Sequence, residues 1–224
     1  MTPDGSDEPV DDRSTQASRR RTSALVLVIA TVLWGGLTLL VALDATQALD
    51  DAAKQLFRPD DVWSTPQHRA GEVIDGLKPL HAVALGGAVT LWLSLRRRSL
   101  APLLLLGATV LVTGAATWIA KRALERPDTH GLGASSYPSG HVAVLLVVLG
   151  CLLLLTVRTR WWMWIGAGAV VGVMALSLLL QSTHWLADIL GGGLLGLAVL
   201  AGASALTVGR HVAQRDSTEP ASWP

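Results

Sequence analysis

The sequence predicts an all-α fold, a six-helix transmembrane bundle, and three observations carry that prediction. Half of the residues are apolar and only 16% are charged, against about 25% charged in an average soluble domain. The charge is missing locally, from six long segments each able to form one span. Nine tryptophans stand against one tyrosine and one phenylalanine, and tryptophan concentrates where bilayer meets water. The formal net charge of +1 makes no electrostatic case for nucleic acid, so no such partner is expected. The single cysteine, Cys151, can build neither an internal disulfide nor a zinc site and reads as packing.

Residues 1–22 are polar, mixed in charge and without apolar periodicity, and read as a disordered cytoplasmic tail ending in Arg19-Arg20-Arg21. Residues 23–208 form the membrane domain. The first span, 23–43, carries no charge and at 1.5 Å per residue can cross a hydrocarbon core of about 30 Å. Its length and its distant basic flank argue against a cleaved signal peptide. Residues 44–78 are polar and in places amphipathic, which puts them in water or at the membrane surface. Residues 79–95 form the second span, stopped by Arg96-Arg97-Arg98, and 100–120 the third, stopped by Lys121-Arg122. A polar loop, 121–140, follows. The fourth span, 142–157, is slightly short and is trailed by Arg158 and Arg160. Trp161, Trp162 and Trp164 open the fifth, which runs to residue 180. Gln181-Ser182-Thr183 make a minimal turn. The sixth span, 185–208, is interrupted only by Asp188, and residues 209–224 form a polar cytoplasmic tail.

Six crossings return the chain to the side it started from. The clusters Arg19–Arg21, Arg96–Arg98, Arg158 with Arg160, and Arg210 all fall on that side, which the positive-inside rule makes cytoplasmic. A multi-pass protein of the cell membrane with both termini inside is therefore expected. The 44–78 segment, the 121–140 loop and the 181–184 turn share the outer face.

Asp188 stands one turn into the last span, where a charge facing lipid costs about 2.5 kcal/mol or more at mid-membrane. It is expected to face protein and to have a partner. His184, four residues earlier, shares its helix face. The pair is either a structural bridge between helices or an imidazole oriented by a carboxylate for nucleophilic or basic work. The topology favours the second. His141 heads the fourth span at the same face, and Lys121, Arg122 and Arg126 close the third span there. The stretch Tyr137-Pro138-Ser139-Gly140-His141 offers a hydroxyl, bare backbone N–H groups and an imidazole; a Pro-Ser turn capping a helix is the plainer reading of the same residues. Phosphoryl transfer needs charge neutralisation, an in-line nucleophile and an acid for the leaving oxygen. Lys and Arg serve the first need, and two histidines the other two. A histidine nucleophile forms a phosphohistidine. The active site is expected at the extracytoplasmic face, and no acidic cluster points to a metal.

These residues resemble the type 2 phosphatidic acid phosphatase superfamily, the lipid phosphate phosphatases, over about residues 23–208. Pro138-Ser139-Gly140-His141 matches that family's second motif. His184-Trp185-Leu186-Ala187-Asp188 matches the end of its third, and Lys121 with Arg126-Pro127 its first in shortened form. The resemblance implies His184 as nucleophile, Asp188 as the group that holds it, and His141 as the acid for the leaving group. It implies phosphoryl binding by Lys121, Ser139 and the Gly140 backbone, with no metal or other cofactor. Two positions depart from the pattern. Leu178 stands where the family has an arginine six residues before the histidine, and Asp128 where the first motif has its arginine. Arg126 is the expected replacement clamp, with Arg122, Gln181 and Thr183 as lesser candidates. His130, His68 and His81 read as loop or interfacial histidines. Gly191–Gly193 are expected to let helices approach, and Gly131 and Gly133 to bend the loop. The expected function is an integral membrane phosphatase acting on a lipid phosphate or polyprenyl diphosphate at the outer leaflet. The alternatives are a catalytically impaired lipid-phosphate binder and a phosphotransferase using the same intermediate.

Overall fold

Proline, glycine-like backbone and capping residues cut the apolar segments into helices. The computed structural model describes residues 12–131, 135–156 and 159–216, with side chains over 16–131, 135–156 and 159–207. The described elements are all helical: α1 (Asp12–Ala42), α2 (Gln47–Phe57), a 3-10 turn (Pro59–Asp61), α3 (Thr65–Gly76), α4 (Pro79–Arg97), α5 (Ala101–Leu124), α6 (Gly140–Leu154), α7 (Trp161–Leu180) and α8 (Leu186–Asp216). Proline occupies the first turn of α3, α4 and α5, where its missing N–H is no loss. The Ser64 backbone N–H donates to Gln67 Oε1 at 3.1 Å and starts α3. Left-handed residues stop α4 at Arg98 (φ 48°) and α5 at Glu125 (φ 45°).

Each of the six segments expected to span is a helix. Four of them, within α1, α5, α7 and α8, are long and apolar enough to cross a membrane. The other two are α4 and α6, and α6 has only 15 residues. It is the most enclosed element, packed by α4, α5, α7 and α8. Val142, Ala143, Leu145, Val147, Val148 and Cys151 on it are all buried. Cys151 Sγ lies 3.2 Å from the Thr109 hydroxyl on α5, which bears out its reading as packing. By contrast α1, α4, α5 and α7 turn Leu25, Val32, Leu85, Leu111, Trp118 and Ile165 outward. A soluble monomer does not leave that much apolar surface open; the protein is a membrane protein, and this belt is its lipid face.

Contacts fix which helix ends lie together. Ser23 on α1 meets Ser204 on α8 at 3.0 Å, while Val41 on α1 packs with Ala187 on α8. The two helices are therefore antiparallel. Arg97 Nη2 donates to the Leu155 carbonyl at 2.8 Å, joining the C-terminal ends of α4 and α6. The opposite end of the bundle gathers α2, residues 125–131 and 135–139, and the start of α8.

Two expectations about the tails change. The polar residues 12–22 continue α1, and α8 runs on to Asp216. A nucleated helix extends at little cost once its first turns exist, so polarity alone does not end one. Residues 1–11 and 217–224, Gly133 and Arg158, with the Arg210 side chain, lie outside the described residues.

Candidate active site

The site starts at the residues that lead into α6. The Tyr137-Pro138 peptide is cis, and the Tyr137 phenol shares a 2.8 Å hydrogen bond with the Thr38 hydroxyl on α1. Burial pushes the phenol pKa up, so it stays neutral. Ser139 follows, its N–H donating to the Asp188 carbonyl at 2.9 Å. Ser139 is 0% exposed and its hydroxyl has no partner among the described residues. A buried, unsatisfied hydroxyl costs roughly 1–3 kcal/mol. Here it stands at the N-terminus of α6, where the first N–H groups also lack helical partners and favour an anion. His141 is the second residue of that helix.

Helix α8 supplies the second half. Gly191 and Gly192 let it come against the loop: a Cβ on Gly191 would meet the Tyr137 ring, and one on Gly192 the Ser139 carbonyl oxygen. At the head of α8, Asp188 is 0% exposed. Its Oδ2 accepts from the Trp185 N–H at 3.0 Å, in the manner of a capping box. The same oxygen faces His184 Nδ1 at 3.4 Å. Such a carboxylate favours a proton on Nδ1 and leaves the Nε2 lone pair outward. The rings of His141 and His184 stand 6.0 Å apart between centroids, at 69° to one another. Two residues 43 positions apart in sequence thus share one end of the bundle.

The cations are arranged differently from expectation. Lys121 Nζ donates to the carbonyls of Ser135 and Ser136, at 2.5 and 2.9 Å, which pins the loop and leaves one ammonium hydrogen. Arg126, 8% exposed, is bound on both sides by carboxylates. Its Nη1 donates to Asp188 Oδ1 at 2.8 Å and its Nη2 to Asp50 Oδ2 at 2.6 Å. Its ring-facing side lies 5.4 Å over Trp185. Arg126, expected as the replacement clamp, is thus paired with two buried carboxylates. Arg122 stacks over Trp118 on the exposed side of α5. Leu178 is 1% exposed and packs with Val142, Leu145, Met174 and Ile189, so apolar side chains fill the place of the family's third-motif arginine. Gln181 Nε2 donates to the Gln67 carbonyl at 2.7 Å; Thr183 bonds the Leu178 carbonyl at 3.4 Å. His130 and His81 are exposed.

Sequence reasoning missed Asp50, Thr46 and Arg58, all buried. Asp50 Oδ1 accepts the Ala187 N–H at 2.8 Å, capping α8 from another helix. Arg58 Nη1 donates to the Gln181 carbonyl at 3.1 Å and its guanidinium lies 4.5 Å over Trp63. Nothing local separates Asp50 from its neighbour Asp51; only docking of α2 on α8 selects it. Lys121 and Arg126 are balanced by Asp50 and Asp188, so an incoming anion meets a helix N-terminus and imidazoles rather than surplus cation.

An all-helical membrane protein that gathers two imidazoles, a held carboxylate and a helix N-terminus at one bundle end is the class this geometry defines. Residues 102–212, about half of the chain, match the model of the PAP2 superfamily, and the chain belongs to that superfamily. Among solved structures it is similar to the crystal structure of the first transmembrane PAP2 type phosphatidylglycerolphosphate phosphatase from Bacillus subtilis. The identity is 18% and the TM-score 0.60, covering 88% of this chain and 98% of that one. At that identity the likeness speaks for the fold. The comparison with curated proteins finds no match.

Proposed function

We propose that the protein is a lipid phosphate or polyprenyl diphosphate phosphatase working at the outer leaflet through a phosphohistidine. The observation that carries the reading is the 6.0 Å pairing of His141 with His184 beside the unpartnered Ser139 hydroxyl. One ring attacks phosphorus while the other reaches the leaving oxygen, and the hydroxyl and α6 N–H groups receive the non-bridging oxygens. Lys121 contributes its remaining ammonium hydrogen.

In the first step the His184 Nε2 lone pair forms the N–P bond. The P–O bond to the lipid breaks, and His141 delivers its proton to the departing oxygen. Asp188 stabilises the cationic His184 ring. In the second step His141, now neutral, takes a proton from water as the water oxygen bonds phosphorus and the N–P bond breaks, releasing phosphate. The lipid tail stays in the bilayer throughout. Arg97 lies with Leu155 at the far end of the bundle from the site, and under the positive-inside rule that supports a reaction outside the cytoplasm.

The test is phosphate release by purified protein from phosphatidic acid, phosphatidylglycerol phosphate and a polyprenyl diphosphate, with chelator present. Release is expected from at least one, and His184→Ala should remove it together with acid-labile labelling of the protein. Binding of all three without release would instead support the second reading, a lipid-phosphate binder. Buried Leu178 and the occupied Arg126 favour that alternative, because both withdraw cation from the transition state.

A further inference from the structure

Asp50 lies on α2, outside the segment that matches the family, and yet it is 1% exposed and bonded to the head of α8. Each of its oxygens has a distinct task. Oδ1 caps the α8 N-terminus through the Ala187 N–H at 2.8 Å, three residues from His184. Oδ2 holds Arg126 Nη2 at 2.6 Å, and the other end of that guanidinium holds Asp188 Oδ1 at 2.8 Å. Asp188 Oδ2 is thereby left facing His184 Nδ1. The chain of contacts runs Asp50, Arg126, Asp188, His184, with no gap.

We propose that Asp50 is a positioning residue: by dividing Arg126 between two carboxylates it keeps Asp188 available to orient and charge-stabilise His184. Without the Asp50 charge the fork of Arg126 is free to grip Asp188 with both nitrogens, as Arg–carboxylate pairs prefer. That grip competes with His184 for Oδ2. The segment carrying Asp50 is fastened to the same turn at two further points, Arg58 Nη1 to the Gln181 carbonyl and Gln181 Nε2 to the Gln67 carbonyl. The outer segment between α1 and α4 is thus a brace for the turn that presents His184.

The inference rests on the functional reading of His184, but its test does not depend on turnover. The charged and titratable groups about the two histidines are Asp188 at the head of α8, His141 on α6, Lys121 on α5, Lys78 just before α4, Arg126 on the loop, and Asp50 and Arg58 on or just after α2. The pH dependence of His184 modification by diethyl pyrocarbonate, read by peptide mass spectrometry on full-length protein in detergent, reports its proton affinity. Asp50→Asn keeps the shape and the Ala187 acceptor but removes the charge. It should lower the His184 midpoint by about half a pH unit or more, while Asp50→Glu stays near wild type. Arg126→Gln should move the midpoint the opposite way, and it serves if Asp50→Asn does not fold. Where wild type hydrolyses one of the three lipids, Asp50→Asn should cut kcat roughly tenfold with KM within about twofold. An unmoved His184 midpoint in a folded variant overturns the inference, whatever the turnover. Absent wild-type turnover on all three lipids overturns the enzymatic reading instead.

Discussion

At the residue scale the two histidines of the candidate site differ in their neighbours. His184 has a carboxylate 3.4 Å from Nδ1; His141 has none among its described contacts and sits on the first turn of α6. On the proposed reading His184 attacks phosphorus and His141 exchanges the proton. A leaving group that needs no proton should expose the difference. On an aryl phosphate with an acidic phenol, His141→Asn should keep within about tenfold of wild-type turnover, while on a lipid phosphate it loses about 100-fold or more. His184→Asn should be inactive on both. Chromogenic assay of the aryl ester beside phosphate release from the lipid checks this. Motif spacing singled out His141, His184, Asp188 and Ser139, which the fold brings to one end of the bundle. Arg126 shows the limit: a sequence reveals a cation near the site, but not that Asp50 has already bound it.

At the element scale the glycines of α8 decide how close its helix comes to the loop. Three stand in a row, with different surroundings. A Cβ at Gly192 meets a backbone carbonyl and one at Gly191 a buried ring, whereas one at Gly193 meets nothing within 4 Å. Replacing glycine by alanine inside a helix gains up to about 1 kcal/mol from propensity. Overpacking against atoms that cannot yield costs about 1–3 kcal/mol. Gly192→Ala should then lower thermal stability and activity together, because the Ser139 carbonyl is part of the site loop. Gly193→Ala should be neutral or slightly stabilising. Melting in detergent with a parallel activity assay separates the two. The sequence showed that a Gly-rich turn lets helices meet, since only small residues permit it. It did not show that α2 docks on α8, because an amphipathic helix with two adjacent aspartates reads equally well as lying on the membrane surface.

At the scale of the whole molecule, each segment picked out by hydropathy is a helix, and four of them are long and apolar enough to cross a membrane, since lipid contact demands long uncharged runs. Hydropathy did not foresee that α6, the shortest of them, would be enclosed by four others; burial by protein and burial by lipid look the same in a sequence. The bundle has a histidine end and an arginine end, Arg97 lying with Leu155 at the latter. Single cysteines placed at Ser64, before α3, and at Ser99, after α4, should report those ends separately. In intact cells a membrane-impermeant maleimide should label the first and not the second, and in inverted vesicles the preference should reverse. Labelling of both from one side contradicts a crossing by α4.

The enclosure of the native thiol simplifies that experiment. Cys151 is wholly buried against the Thr109 hydroxyl, shielded from water and lipid. An alkylating reagent has no path to it while the helices stay packed, so the wild-type chain can serve directly as the unreactive parent for introduced thiols. Sudden reactivity at that position would then be a sign of loosening at the heart of the bundle, available from the same blot.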